Sequence, residues 1–138
     1  LLPFADTDND GLLDLIFAND PHNTGVAASM AGYESRIYWN TGLPEAKANH
    51  WLRLSFTGIS DARLIGSRIE ARSSNTGQLL GTRWIHNNHA YKSGSALDAH
   101  FGLGQSDQVD IHVIALDGGE RVFEKVAIDT VQELDLNS

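Results

Sequence analysis

Cysteine is missing from this chain of 138 residues. Its absence excludes disulfide bonds, thiolate metal sites and cysteine nucleophiles, and it leaves the redox compartment undetermined. No apolar run approaches the roughly 20 residues that a membrane-spanning helix needs, so we expect no membrane insertion. No basic segment precedes an apolar stretch as in a signal peptide. The chain begins at Leu1 and its one methionine is Met30, so we expect a piece of a longer protein.

Positive charge is scarce. Ten Lys and Arg stand against eighteen Asp and Glu, which gives a formal net charge of −8. Sequence-independent binding to nucleic acid requires a basic surface that displaces counterions, so we expect no nucleic-acid partner. Adsorption to anionic membranes is disfavoured for the same reason. The first basic residue is Arg36, and an acidic surface of this kind favours cations as partners.

Sustained helical periodicity is also missing, and residues 44–48 can form one helical turn at most. From about Asn49 onward, apolar and polar residues alternate with a period of two, which is typical of strands with one buried face. The alternation is found at residues 51–56, 68–72 and 109–113, and turn sequences stand at 73–77, 102–104 and 117–119. Short strands with turns at such intervals predict an antiparallel β-sandwich or barrel.

Residues 1–42 differ from the rest of the chain. Strand-like segments at 13–18 and 36–39 are separated by a polar loop at 19–34. Two strands cannot bury their own apolar faces, so the segment must pack on the following domain or form the edge of a larger sheet or repeat array. Such an unpaired edge could also promote a dimer.

An acidic loop near the start of the chain carries the strongest chemical signal. Carboxylates stand at positions 1, 3, 5 and 9 of the loop and a glycine stands at position 6: Asp6, Asp8, Asp10, Asp14 and Gly11. Calcium takes six to eight oxygen ligands, and alternate residues of a tightly wound loop can all turn inward. The backbone carbonyl of Leu12, at position 7, is expected to supply another ligand. We therefore predict a calcium (Ca²⁺) site formed by Asp6, Asp8, Asp10, Leu12 and Asp14.

The surroundings of this loop indicate that it is not a helix–loop–helix site. Position 12 is Phe17, where such a site needs a bidentate glutamate. Residues 15–17 resemble a strand, so we expect the site in a turn between β-strands. Magnesium is less suited, because it prefers few carboxylates and retained waters. Because the ligands are crowded into one loop, we expect the calcium to be structural.

Residues 4–16 resemble the calcium loop of an FG-GAP (VCBS-type) repeat, the blade unit of integrin-like β-propellers. This resemblance implies that Asp6, Asp8, Asp10 and Asp14 bind calcium. Residues 36–42 are similar to the blade end that precedes an ASPIC/UnbV domain. Three later stretches resemble that domain in the expected order: Asn49–Leu54, Ile65–Glu70 and His100–Gly104.

The resemblance implies an all-β chain in two parts. Residues 1–42 would be a fragment of a β-propeller blade with a calcium loop, and residues 49–138 an antiparallel β-sandwich-like domain. It further implies a module of an extracellular, periplasmic or cell-surface protein without established catalytic residues. The first hypothesis is therefore a non-catalytic calcium-binding module for adhesion or for binding a protein or another ligand.

A second hypothesis is a carbohydrate-binding appendage of a secreted or surface enzyme. Trp84, Asn87, Asn88 and Tyr91 combine flat apolar faces with amide donors and acceptors, which suits stacking on sugars. The alternative for the two aromatic residues is that Trp84 fills the sandwich core and Tyr91 caps it, because large aromatics dominate cores.

A third hypothesis is an enzyme that uses histidines with a metal. His86 and His89 are three positions apart, but zinc sites built from histidine usually need three ligands on rigid elements. A serine hydrolase would require a Gly-x-Ser-x-Gly elbow, and none occurs. The Gly102-Leu103-Gly104 sequence lacks the further glycine and the helix of a dinucleotide loop, so we interpret it as a turn.

Overall fold

The computed structural model describes residues 4–17, 35–87 and 96–137. The chain divides into two compact units, Leu1–Thr41 and Gly42–Ser138. Across the described residues, no helix has both the length and the apolar character needed to cross a bilayer.

The first unit contains a small antiparallel sheet. Its strands are β1 (Phe4–Ala5), β2 (Asp14–Phe17) and β3 (Arg36–Tyr38), in the order β1-β2-β3. The two strands expected from the sequence correspond to β2 and β3. The polar loop predicted at 19–34 lies outside the described residues.

The second unit contains seven strands among its described residues. They are β4 (His50–Thr57), β5 (Arg68–Ser73), β6 (Leu79–Trp84), β7 (Ala99–Gly104), β8 (Val109–Ile114), β9 (Glu120–Val126) and β10 (Thr130–Asp135). The helical content is small: a 3₁₀ turn spans Ala46–Ala48, within the segment where one turn was expected, and a one-turn helix, α1, spans Asp61–Leu64. The sequence pattern did not indicate α1.

These strands form two sheets, with the orders β10-β4-β7 and β6-β5-β8-β9. The predicted all-β, sandwich-like class is therefore confirmed. One pair departs from the antiparallel expectation, because β10 runs parallel to β4, with Leu134 opposite Phe56. The chain leaves β9 in the four-stranded sheet and enters the other sheet as β10, so no hairpin constrains the direction of this strand.

The core lies between the two sheets, and apolar side chains from both contribute to it. Its buried members include Leu52, Leu54 and Phe101 from one sheet, and Ile69, Val109 and Ile111 from the other. The period-two alternation is confirmed in β8, where every second side chain is buried, and in the middle of β4, where Leu52 and Leu54 are buried between partly exposed neighbours. Each fully buried aliphatic or aromatic side chain contributes roughly 1.5–3 kcal/mol of hydrophobic stabilisation.

One expected turn is wrong. Gly102-Leu103-Gly104 is the end of strand β7, where Phe101 and Leu103 are buried and the two glycines are exposed. Glycine has no side chain, so the outward positions of this strand look like turn residues in the sequence. The hairpin cue at Asp117-Gly118 is confirmed, because β8 and β9 pair around it with Ile114 opposite Glu120.

Candidate functional site

Three acidic side chains of the loop between β1 and β2 come together. One carboxylate oxygen from each of Asp6, Asp8 and Asp10 lies within 4.8 Å of the others. Asp6 is buried, whereas Asp8 and Asp10 are exposed. Among the described residues, these three aspartates form the one group of potential metal-ligating side chains that lie close enough together to hold an ion.

The loop owes its shape to two residues with positive φ and to its own amides. Asn9 has φ +60° and Gly11 has φ +88°, a left-handed conformation that costs glycine little. The backbone N–H groups of Asp10 and Gly11 donate to the Asp6 carboxylate at 3.1 and 3.2 Å. The N–H of Leu12 donates to Oδ1 of Asp10 at 2.8 Å. These bonds turn alternate carboxylates toward one point.

The spacing of the three oxygens suits calcium. Calcium–oxygen distances are about 2.3–2.6 Å, so two oxygens on opposite sides of the ion are about 4.6–5.2 Å apart. Mutual distances of up to 4.8 Å therefore allow all three carboxylates to reach one calcium ion. A donor set made only of oxygens is also the set that calcium prefers.

Asp14 occupies a different position from the other three aspartates. Its buried carboxylate accepts hydrogen bonds from the backbone N–H and the hydroxyl of Thr7 and from the backbone N–H of Asn40 at 2.9 Å. The Thr7 hydroxyl bond, followed by the Asn40 bond, holds the pKa of Asp14 below its ordinary value. The carboxylate thus joins the loop to the residues after β3. Direct calcium binding by Asp14, and by the carbonyl of Leu12, stays a prediction.

Trp84 is the second candidate for contact with a ligand, and it does not fill the core. It is 57% exposed, at the end of the edge strand β6. The next residue, Ile85, is buried, so Trp84 itself faces outward. Asn87 is exposed, whereas Asn88 and Tyr91 lie outside the described residues.

A ladder of charged residues on β5 lies beside Trp84, and it was not expected from the sequence to form part of a site. Glu70 is only 7% exposed although it lies on the outer face of the sheet. Its Oε1 is 3.0 Å from Nε of Arg68, and its Oε2 accepts from Nη2 and Nε of Arg72 at 2.6 and 3.0 Å. The guanidinium of Arg68 lies 5.8 Å from the centre of the Trp84 ring. The alternation of charged residues at 68, 70 and 72 was the available signal.

The outer face of the four-stranded sheet is acidic in the half formed by β8 and β9. Asp110 lies opposite Arg72 in the register of β8 and β5. It accepts from the Ser74 hydroxyl at 2.6 Å and from the Lys125 N–H at 2.9 Å, and these bonds keep its pKa below the ordinary value. His112 lies 2.7 Å from Oε1 of Glu120.

The histidines in the described residues make local contacts. His50 lies 2.8 Å from Asp129, and the ring of His100 stacks on Trp51 with 6.0 Å between ring centres. No histidine of the described residues belongs to a group of metal-ligating side chains. His89, one of the pair considered for zinc, lies outside those residues.

The fold and these sites define an all-β protein with a sandwich unit and a small sheet that carries an acidic loop. The profile of the ASPIC and UnbV family matches residues 58–137, more than half of the chain, and the chain belongs to this family. ASPIC/UnbV domains are typically found in extracellular or surface proteins. No curated protein matches the chain. The resemblance of residues 1–42 to an FG-GAP repeat stays a prediction.

Proposed function

We propose that this chain is a non-catalytic, calcium-binding module of an extracellular or cell-surface protein, which serves adhesion or the binding of a protein or another ligand. The observation that carries the proposal is the convergence of Asp6, Asp8 and Asp10 on one point in the β1–β2 loop. The membership in a family typical of surface proteins supports the proposed location.

The electrostatics of the loop favour a bound cation. Three carboxylates within 4.8 Å of one another repel each other when all are ionised, and a divalent ion converts this repulsion into attraction. The exposed Asp8 and Asp10 give an ion access from solvent. In this proposal the ion has a structural role: it fixes the loop between β1 and β2 and thereby stabilises the three-stranded sheet.

Isothermal titration with calcium and with magnesium tests this assignment. We expect calcium to bind with one-to-one stoichiometry and more tightly than magnesium. The double variant Asp8→Asn/Asp10→Asn should lose this binding, whereas Glu124→Gln, which removes an exposed acidic charge from β9, should bind calcium like the unmodified chain. Equal calcium affinity in the double variant would place the ion elsewhere and overturn the assignment.

A second candidate function, carbohydrate binding, is favoured by the exposure of Trp84. An indole that is 57% exposed on the outer face of the sheet offers an apolar surface for the face of a sugar ring. Arg68 holds one side of the indole, so little side-chain ordering remains to be done on binding. Of the four residues expected to contact a sugar, Trp84 and Asn87 lie in the described part of the chain, and both are exposed there.

A glycan array followed by titration of the best glycan tests the second candidate. We expect Trp84→Ala to lower the affinity about tenfold, because one stacked aromatic ring contributes about 1–1.5 kcal/mol. Val122→Ala is the matched control, since Val122 is an exposed apolar residue on the far edge of the same face. The absence of binding across the array, or equal binding by Trp84→Ala, would contradict the candidate.

A further inference from the structure

The charged ladder on β5 indicates which kind of sugar the surface around Trp84 accepts. This inference rests on the second candidate function, carbohydrate binding. We propose that this surface binds an acidic sugar, with a hexuronic acid ring on Trp84 and its carboxylate on the guanidinium of Arg68. The surface comprises Trp84, Thr82, Arg68, Glu70 and Arg72, which share the outer face of β5 and β6.

Two arginines, Arg68 and Arg72, flank Glu70 in this ladder. Glu70 touches both guanidinium groups and is itself almost fully buried by them. Its negative charge offsets only one of the two positive charges, so the ladder has a net charge of +1. Oε2 of Glu70 accepts two hydrogen bonds from Arg72, Oε1 lies 3.0 Å from Nε of Arg68, and the burial of the side chain leaves little of it accessible to a ligand.

The guanidinium of Arg68 has N–H donors available to a ligand. Among the contacts of the described residues, Arg68 meets Glu70 through Nε and lies against the Trp84 ring, which leaves its two Nη groups for a ligand. A guanidinium presents paired N–H donors that match a carboxylate in a bidentate manner. Because Glu70 and Trp84 fix the guanidinium from two sides, part of its conformational entropy is already lost before binding.

The indole of Trp84 lies next to those donors. Arg68 and Trp84 are directly opposite each other in the register of β5 and β6. The Cβ atoms of such a cross-strand pair are about 5 Å apart. A pyranose ring with a carboxylate on its rim can place its apolar face on the indole and its carboxylate on Arg68. A neutral sugar would use the indole but would leave the positive charge uncompensated.

The acidic half of the same face limits where the ligand's charge can lie. Asp110 and Glu120 belong to β8 and β9 and repel anions, so the carboxylate is confined to the β5–β6 half. This charge distribution favours an uncharged or sparsely charged remainder of the glycan over a densely anionic peptide. Charge complementarity therefore assigns the occupant as a glycan with an acidic sugar at the Trp84 position.

A matched pair of oligosaccharides tests the inference. The probes are the β-1,4-linked tetramer of glucose and the same tetramer with one terminal glucuronic acid in place of glucose, which differ only in oxidation at one carbon 6. Binding is followed through the indole N–H signals of Trp84, Trp51 and Trp39 in two-dimensional NMR. We expect the acidic tetramer to bind about tenfold more tightly and to shift the Trp84 signal while the other two indoles stay in place.

Two arginine variants give the test its specificity. Arg68→Gln should abolish the preference for the acidic tetramer and leave the weaker binding of the neutral one, and Arg68→Lys should retain part of the preference. Arg63→Gln, which removes the charge of an exposed arginine of α1, controls for net charge and should keep the full preference. The melting temperature of each variant verifies that it is folded.

The possible failures are distinguishable. Equal, Trp84-dependent binding of both tetramers would overturn the acidic-sugar inference while the sugar-binding function would stand. Binding of neither tetramer, in a folded protein, would overturn the inference, and a negative glycan array alongside it would remove the function as well. Tighter, Arg68-dependent binding of a glutamate tetrapeptide would overturn it in favour of an acidic peptide.

Discussion

The backbone N–H of Asn40 donates to Oδ1 of Asp14 at 2.9 Å, although the two residues are 26 positions apart in the chain. Asp14 accepts from Thr7 through its other oxygen. One buried carboxylate thus connects the start of the acidic loop, strand β2 and the segment after β3. These hydrogen bonds hold the three segments of the first unit together, and none of them requires a metal ion.

We expect Asp14→Asn to weaken the first unit even in the absence of calcium. An amide offers one acceptor oxygen in place of two, so the bonds from Thr7 and Asn40 cannot all be retained. Hydrogen exchange followed by mass spectrometry should show several-fold faster exchange at residues 4–17, with no change at β8. Unchanged exchange at residues 4–17 would contradict the role given to this carboxylate.

Gly58→Ala should destabilise the second unit strongly. Gly58 has φ +84°, and a Cβ atom there would lie 2.6 Å from the backbone N of Asn137 and even closer to Oδ1 of Asp135. The left-handed strain costs about 1–2 kcal/mol, and we expect the displaced backbone to bring the loss to about 3 kcal/mol.

Gly77→Ala provides the matched control for this substitution. Gly77 also has a positive φ, of +71°, but nothing lies within 4 Å of the position of its Cβ. Its loss in chemical denaturation should therefore be limited to about 1–2 kcal/mol. Equal losses for the two variants would show that the close contact at Gly58 does not contribute.

Ser67→Ala should stabilise the protein. The Ser67 hydroxyl is buried, and no hydrogen-bond partner for it exists among the described residues. Burying an unsatisfied hydroxyl costs about 1–3 kcal/mol, so its removal should raise the free energy of unfolding by about 1 kcal/mol. The control is Ser74→Ala, which removes the bond to Asp110 and should lower the stability. A loss of stability in Ser67→Ala would contradict this prediction.

The Asp110 carboxylate should contribute to stability in a pH-dependent manner. Bonds from Ser74 and Lys125 lower its pKa from the ordinary 3.8, so the folded state favours the ionised form. The resulting stabilisation is complete above pH 3.8 and is lost as the pH falls through the lower, folded-state pKa. In a carboxyl NMR titration, Ser74→Ala should raise the pKa of Asp110. An unchanged pKa would assign the shift to other groups.

Much of the second unit could be predicted because one-sided burial leaves a period-two pattern. That pattern is clear in β8, where Val109, Ile111 and Val113 are buried. It is absent from β6, whose Gly81 and Thr82 give no apolar signal before Trp84, so the sequence could not show that the tryptophan faces outward; its exposure and the burial of Ile85 show this in the structure. The burial of Glu70 could not be predicted from the sequence either, because the side chains of neighbouring residues produce it.

In the acidic loop, too, the sequence predicts only part of what the structure shows. The spacing of Asp6, Asp8 and Asp10 predicts inward-facing carboxylates, because the residues that position them are all within the loop. Asp14, in contrast, contacts Asn40, which is 26 positions away in the chain. The sequence pattern does not predict a contact over such a separation. Local spacing therefore predicts the cluster, and long-range contacts decide the role of the fourth aspartate.

The most direct test of the central claim is a thermal melt of the chain in EDTA, then with excess calcium, and then with excess magnesium. A ligand that binds only the folded state stabilises it by about 2.7 kcal/mol at a hundredfold excess over its Kd. We predict an upward shift of a melting transition with calcium, little shift with magnesium, and none in Asp8→Asn/Asp10→Asn. Identical melting curves in all three solutions would contradict the proposal that the acidic loop is a structural calcium site.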